Sequence, residues 1–515
     1  MAGHTTWTRR RFLGAAGALA AVGACTDDGD GTASTTTSST TPPSTLPGHD
    51  FGQPEGEDPF TLGVASGDPD DSSVVLWTRV DRTPQRELLV EVALDEAFSS
   101  VIQRGEVAAD PTADLTVRTL ATALRPDTVY WYRFAMDGHL TPPARTRTSP
   151  APGTVPAEPL TVAHLSCMRR SSGFWVALDD VAAQSPDLVV HCGDYIYESE
   201  TGSVRPDDTP PPADLDGYRA RWRRYKAGPE LQAAHRVAPW LMVWDDHEVA
   251  NNYQGLDPDD GDPSDEFTAL RAAAYRAWWE YTPTRVDPPA GASMPIHRTV
   301  DWGGLTRFVL LDTRQHRDDQ PCGEDLGPRC DETSEVTMLG ADQERWFDDV
   351  APGHDAIWTT IVQQVVVHQW RFVSGNGLWN LDQWDGYTGA RDRLLATLSS
   401  APSPVVLTGD VHSSWVSDLR SDFDDDDSDA VGVEFVAPGV SSGVPDQLRG
   451  AGAVVELSSP HIRWSETRRR GWVLHTISAD EWTAEYRLVD DATVPDSSVR
   501  AVETWRVAAG ARTVG

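Results

Sequence analysis

Between Pro186 and Tyr253 two short apolar runs each stop at carboxylates. The first, PDLVVHCGDYIYE, carries Leu188, Val189 and Val190 into Gly193-Asp194. The second, PWLMVWDDHEVANN, ends in Asp245-Asp246-His247-Glu248. Apolar runs this short, bounded by turn residues, fit strands buried on both faces, as in a parallel sheet. Parallel strands need crossover connections, usually helices, and ligands of such α/β folds sit at the carboxyl ends of the strands. Two ends bearing Asp, Tyr, Asp, His and Asn gather oxygen ligands and one imidazole. That is the donor set of a metal site.

The flanking sequence keeps the pattern. PLTVAHLSC predicts a strand ending at Cys167, and FWVALDDVAAQ a helix. GYRARWRRYKAGPELQAAH predicts one or two helices, while TRFVLLDTR, AIWTTIVQQVVV and PVVLTGDVH predict further strands. Over 158–515 this alternation, followed by a strand-rich end with a hairpin in WVLHTISADEWTAEYRLV, predicts an α/β layered core with two packed sheets. Residues 51–150 instead show short alternating runs separated by Asp/Pro/Gly turns, the pattern of an all-β sandwich of immunoglobulin or fibronectin type. That segment carries no catalytic constellation and reads as a cap or spacer. A chain of 515 residues has room for both units.

The N-terminus reads as an address. Thr8-Arg9-Arg10-Arg11-Phe12-Leu13 is a twin-arginine motif, and the apolar run from Leu13 to Gly23 is too short to span a bilayer. Residues 1–25 therefore predict an export leader. Val22-Gly23-Ala24-Cys25 resembles a lipobox in which Cys25 is lipidated; a plain cleavage site nearby is the alternative. Residues 26–50, rich in Ser, Thr, Pro and Gly, predict a disordered tether. The expected location is extracytoplasmic, as a cell-surface lipoprotein or a secreted protein, with membrane contact only through such an anchor. In an oxidising compartment Cys322 and Cys330, flanking a short Gly/Pro loop, are expected to pair. Cys192, inside an apolar strand, reads as a small buried hydrophobe.

A formal charge of −36 argues against stable nucleic-acid binding, which relies on clustered Lys and Arg. It leaves room for a small phosphate ester, because a bound metal supplies positive charge locally. Four strand ends then matter: Cys167, Asp194 with Tyr197, Asp246 with His247, and Asp410 with His412. Phosphate-ester hydrolysis needs a nucleophile at neutral pH and neutralised oxygen charge, and two neighbouring metals supply both. Asp194 is placed to bridge them. Tyr197, one short turn on, offers a phenolate suited to a hard trivalent ion such as Fe³⁺. His247 is placed to hydrogen-bond a non-bridging phosphate oxygen. No serine with a partner base stands in these motifs, so the expected attack is in-line, by a metal-bound hydroxide.

Other residues read as structural: Asp312 as a turn residue, His164 and His191 as core histidines, Asp245 as a support to its neighbour. Arg221 and Arg224 are candidates to reach substrate, although helix arginines more often only form surface ion pairs.

GDYIYE, WDDHEVANN and TGDVHSSW, with the SCM strand end before them, are similar to the motifs of the PhoD-type alkaline phosphatases. These belong to the calcineurin-like metallophosphoesterase superfamily. The resemblance covers about 160 to 490, and GVASGDPDDSSVVLWTRV resembles the family's opening. It implies a two-sheet α/β/β/α metallophosphoesterase core preceded by the all-β immunoglobulin/fibronectin-like domain. It also implies one Fe³⁺, held by Cys167, Asp194, Tyr197 and His412. One or two Ca²⁺ would be held by Asp194, Asp246 and Asp410, with Asn251 or Asn252 as a further ligand. The implied activity is an exported alkaline phosphatase/phosphodiesterase acting on phosphate-ester small molecules, with Asp194 and His247 catalytic. A phospholipase D-like phosphodiesterase acting on phospholipids is the rival within enzymes, and a non-catalytic surface lipoprotein the rival outside them.

The wider superfamily has Asp-x-His, Gly-Asn-His-Glu and Gly-His-x-His where this chain has Ser166-Cys167, Asp245-Asp246-His247-Glu248 and Gly409-Asp410-Val411-His412. At the second metal an amide and an imidazole become carboxylates, and Gln363 or Gln364 stands where another His is usual. Hard oxygen ligands favour Ca²⁺, Mg²⁺ or Mn²⁺ over Zn²⁺. A thiolate at Cys167 would add negative charge and hold iron ferric.

Overall fold

The computed structural model describes residues 45–84, 87–258, 263–323, 326–371, 379–446 and 449–515. The leader, Cys25 and most of the tether lie outside the described residues. Of the tether's last residues, Leu46 donates its N–H to the Val101 carbonyl and Pro47 accepts from Arg104. The packed chain thus begins slightly before residue 50, where composition alone marks a boundary.

The apolar runs form the strands read from them. Leu188–His191 pairs in parallel with Leu160–Leu165 on one side and Trp240–Met242 on the other. All of its side chains are buried, as expected for a strand covered on both faces. The hairpin Gly471–Ile477/Glu481–Val489 and the last strand, Val499–Ala508, extend this sheet antiparallel beyond Leu160–Leu165. On the opposite edge Val64–Gly67, Val74–Arg79 and Thr116–Ala121 join it, Gly67 pairing with Trp240, to make nine strands.

A second sheet of seven strands has Thr306–Leu310, Trp358–Val362, Pro404–Thr408 and Ala430–Val436 running parallel at its centre. Alternate side chains divide between its faces. Phe308, Leu310, Val405, Leu407, Val433 and Phe435 share the core of the nine-stranded sheet. Val309, Val406 and Val431 instead meet Phe347, Leu394 and Leu398 of the helices Gly340–Val350 and Thr388–Ser400.

Helices also cover the first sheet. In Leu215–Lys226, Tyr218, Arg221, Trp222 and Tyr225 recur at helical spacing and are buried, and Asp214 caps the start by accepting from Gly217 N–H. Gly228-Pro229 breaks that segment into two helices, the second being Pro229–His235. The layers are therefore helix, sheet, sheet, helix, with the all-β unit packed at one edge.

That unit is a sandwich. Its five-stranded sheet, including Leu88–Ala93, Val101–Val107, Val129–Met136 and Ala144–Arg147, encloses a core with the strands Val64–Gly67, Val74–Arg79 and Thr116–Ala121. One of its two sheets is thus continuous with the α/β core. Trp77 Nε1 donates to the Glu280 carbonyl at 2.8 Å, and Arg298 pairs with Asp68 at 2.7 Å across the join.

Candidate metal centre

The carboxyl ends of Leu160–Leu165, Leu188–His191, Trp240–Met242 and Pro404–Thr408 bring their loops to one place. Ligand atoms of Cys167, Asp194 and His412 lie within 4.8 Å of one another. The same holds for Asp194, Asp246 and His247, and for Asp194, Asp245, Asp246 and Asp410. Asp194 belongs to all three groups. The Tyr197 hydroxyl donates to Asp194 Oδ2 at 2.7 Å, lies 3.1 Å from His412 Nε2 and accepts from Ser442 Oγ at 3.0 Å. Asn252 donates its backbone N–H to Asp246 Oδ2 at 2.8 Å, while Asn251 N–H goes to Glu198 Oε1 at 3.3 Å.

The loops are bent to achieve this. Cys167, Asp194, Asn252, Asp410 and His412 have φ of 58°, 60°, 50°, 62° and 56°. Non-glycine residues held there cost about 1–3 kcal/mol each and persist where surrounding contacts over-determine them. Glu248 supplies such contacts, accepting from the backbone N–H groups of Asp194 (3.1 Å), Tyr195 (2.6 Å) and Asp245 (2.9 Å). It thereby staples two strand ends together. Between the sheets, a Cβ on Gly409 would fall 2.6 Å from Ser166 Cβ.

Gly193 is the tightest point, with φ at 105° and an added Cβ falling 2.5 Å from Asp245 Cβ and 2.7 Å from its N. Gly193→Ala is expected to destabilise the fold by about 1–3 kcal/mol or more, since backbone must move. Gly48, with nothing among the described residues within 4 Å of an added Cβ, provides the control. Equal denaturation midpoints for Gly193→Ala, Gly48→Ala and the wild type would refute this account of Gly193.

Electrostatically the cluster is overloaded with negative charge. Burial, then the charges of Asp246, Asp245 and Glu248, hold the Asp194 carboxyl well above the usual range despite His247. Burial and the neighbouring Asp245 and Asp382 do the same to Asp410. Burial with Asp246 and Asp382 lifts Asp245 to about 6 against Arg314, and burial lifts Glu248 to about 7. Burial acts upward on Asp246 too, but His247, Arg314 and the Asn252 N–H outweigh it and hold that carboxyl low. His247 is the reverse case: burial opposes its charge, yet Asp246, Glu198 and Asp194 raise it well above the ordinary imidazole value. Burial and the nearby carboxylates push the Cys167 thiol and the Tyr197 phenol up. His412 is drawn down to about 3 by burial and then by Arg169.

Buried polar atoms are normally hydrogen-bonded. Here Asp194 Oδ1, Asp245 Oδ2 and Asp246 Oδ1 are buried with no hydrogen-bond partner among the described residues. Three such oxygens in one cluster, beside a thiol, a phenol and imidazoles, fit a pair of cations.

Some contributors escape sequence reading. Arg314 is fully buried beneath the cluster: Nε meets Asp245, and Nη1 and Nη2 form a fork on Asp382 at 2.7 and 2.9 Å. Its Nη2 also lies 3.6 Å from Asp246 and 3.9 Å from Asp410. Gln383 Nε2 donates to Asp410 Oδ2 at 2.6 Å. Gln363 and Gln364 turn elsewhere, donating to Val365 and Thr408 and to Leu311 respectively. Arg169, two residues after Cys167, places its guanidinium 4.2 Å from the Tyr197 ring centre and Nη2 3.5 Å from His247 Nε2.

His247 Nδ1 meets Glu198 at 2.7 Å. Arg221 and Arg224 are occupied away from the cluster, Arg221 by the Glu198, Thr209 and Pro210 carbonyls and Arg224 by Asp207. Asp312 anchors its turn, accepting from Trp244 Nε1 and from the N–H groups of Arg314 and Gln315. His164 and His191 are buried in the core, and Cys192 Sγ lies 3.3 Å from His164 Nε2. Cys322 and Cys330 are joined by a disulfide, with Cα atoms 5.6 Å apart.

The family model for PhoD-like phosphatase matches residues 162–486, and that for the PhoD-like phosphatase N-terminal domain matches 45–150. Alkaline phosphatase D of Bacillus subtilis (strain 168) is 38% identical over 465 residues, covering 86% of this chain and 79% of that protein. The solved structure of PhoD aligns with a TM-score of 0.83 at 36% identity, covering 88% of this chain and 90% of that one. Matching motifs, matching architecture and this extent of identity converge: the chain belongs to the PhoD-like phosphatase family.

Proposed function

We propose that the chain is an exported, metal-dependent alkaline phosphatase that hydrolyses phosphate esters at a mixed iron–calcium centre. The observation that carries this reading is the sharing of Asp194 among three groups of candidate ligands, each within 4.8 Å. Cys167, Asp194, Tyr197 and His412 would hold Fe³⁺. Asp194, Asp246 and Asp410, with Asn251 or Asn252, would hold one or two Ca²⁺. When bound, the ions supply a nucleophile from water at neutral pH and offset phosphoryl charge.

The chain's own residues do the rest. His247, oriented by the 2.7 Å contact of its Nδ1 with Glu198, donates a hydrogen bond from Nε2 to a non-bridging phosphate oxygen. Arg169 beside it adds a positive group. Glu248 and Arg314 fix the loops and carboxylates in position. In this reading 1–25 is the twin-arginine leader, Cys25 the site of a lipid anchor, 26–50 a tether, 51–150 a spacer and 158–515 the catalytic unit. Among the described residues no helix is long and apolar enough to cross a membrane.

The test combines elemental analysis of the exported protein with turnover of p-nitrophenyl phosphate, its bis ester and phosphatidylcholine, before and after chelation. Iron and calcium are expected, with monoester turnover that chelation removes. Full turnover by metal-free protein would overturn the proposal, and preferential cleavage of phosphatidylcholine would favour the phospholipase reading.

A further inference from the structure

Away from the acidic cluster, a cavity of about 670 Å³ opens where the β-sandwich meets the helices Leu215–Lys226 and Pro229–His235. Arg79, Arg170, Arg205, Arg223 and Arg224 line it. Asp81 and Glu230 are its acidic residues. The chain has 79 Asp and Glu against 43 Lys and Arg, so an average lining would carry nearly twice as many carboxylates as cations. This one reverses the ratio.

The five arginines are not equivalent. Arg79 pairs with Asp81 and Asp114, Arg223 with Asp114, and Arg224 with Asp207. Arg170 and Arg205 form no ion pair among the described residues. Arg205 donates from Nε to the Arg170 carbonyl at 2.9 Å, and its guanidinium stands 4.7 Å from the Trp175 ring centre and 5.3 Å from that of Phe174. Its Nη2 is buried with no hydrogen-bond partner among the described residues.

The two rings and the Arg170 carbonyl hold the Arg205 head group at the cavity wall with no carboxylate paired to it, an arrangement suited to attracting an oxyanion. Burial and then the charge of Arg170 pull Arg205 down to about 10. A bound anion between the two would relieve both effects.

The cavity also adjoins the catalytic loop. Arg169 lies against Tyr197 and His247, and the next residue, Arg170, lines the cavity. Arg170 N–H donates to Tyr225 OH, which donates to Glu200 Oε1, while Glu200 Oε2 accepts from Ser171 N–H. The loop that begins at Cys167 is therefore pinned with consecutive arginines serving two separate places.

We propose that this cavity is a second anion site, in which Arg170 and Arg205 bind a phosphate group other than the one hydrolysed. The occupant is either the remote phosphate of a multiply phosphorylated substrate or free inorganic phosphate. Binding reads the site directly, whether or not turnover follows, so it stands or falls apart from the proposed catalysis.

The experiment uses metal-loaded protein and compares wild type, Arg170→Gln and Arg205→Gln. Calorimetric titrations with inorganic phosphate, fructose 6-phosphate and fructose 1,6-bisphosphate are run beside melting curves and p-nitrophenyl phosphate kinetics. Arg170→Gln removes a side chain with no hydrogen bond or ion pair among the described residues, so it should fold normally.

If the site takes a remote phosphate, both variants lose about 10-fold or more in affinity for the bisphosphate while binding the monophosphate as before. If it takes inorganic phosphate, each variant binds one phosphate fewer than wild type. In both cases the p-nitrophenyl phosphate kinetics of Arg170→Gln stay unchanged. Folded variants that match wild type in phosphate stoichiometry and bisphosphate affinity would overturn the proposal.

Discussion

Asp194→Ala is expected to abolish phosphate-ester turnover and to strip both metal positions at once. Losing a group that merely orients a metal ligand typically costs 10–100-fold in affinity or activity, so losing a shared ligand should cost well over about 100-fold. The reason is geometric. Among the described residues Asp194 alone belongs to the sulfur-containing group, the His247 group and the four-carboxylate group. It also accepts the Tyr197 hydroxyl at 2.7 Å, so its removal frees a second candidate ligand. Cys167→Ser touches only the first group and should deplete iron while sparing calcium, whereas Asp246→Ala should do the opposite. Elemental analysis of the three purified variants, with p-nitrophenyl phosphate turnover, separates the cases. An Asp194→Ala protein with both metals at wild-type levels would show that the carboxylate is not shared.

These strand ends were legible in the sequence because burial writes a local signature. A strand covered on both faces must be continuously apolar, and Leu188-Val189-Val190 and Trp240-Leu241-Met242 are. The acidic residue that stops each run is then conspicuous. Local pattern says nothing about partners distant in the chain. Arg314 and Asp382 are 68 residues apart and meet only because two loops pack beneath the cluster. Arg169 was hidden for another reason: Met168-Arg169-Arg170 has no periodicity, and which arginine faces the site depends on the bend at Cys167, whose φ is 58°. The extension of the large sheet into the β-sandwich was likewise invisible, since it rests on the single registered pair Gly67–Trp240. Neither strand's own sequence encodes that parallel contact.

Arg314→Met spares every candidate metal ligand and should still cost about 3–5 kcal/mol of stability in metal-free protein. Methionine keeps most of the aliphatic stem and removes the charge, so the cost reports electrostatics more than a cavity. Burial works against the Arg314 cation, yet Asp245, Asp382, Asp246 and Asp410 together hold it charged. Without it, Asp245 and Asp246 remain buried with one oxygen each already lacking a hydrogen-bond partner, and the Asp382 carboxylate keeps only Arg317, Gln320 and Gln383, in each case among the described residues. Breaking a buried pair by removing one partner is far more damaging than replacing both. Arg314→Lys should fall between, because an ammonium preserves charge but cannot reach Asp245 through Nε while forking onto Asp382. Bound cations take over part of the compensation, so the loss should shrink when guanidinium denaturation is repeated on metal-loaded protein. If Arg314→Met unfolds within about 0.5 kcal/mol of wild type in both states, the size of ordinary surface substitutions, then Arg314 does not balance the acidic cluster. The carboxylates would have to be neutralised by their own protons instead.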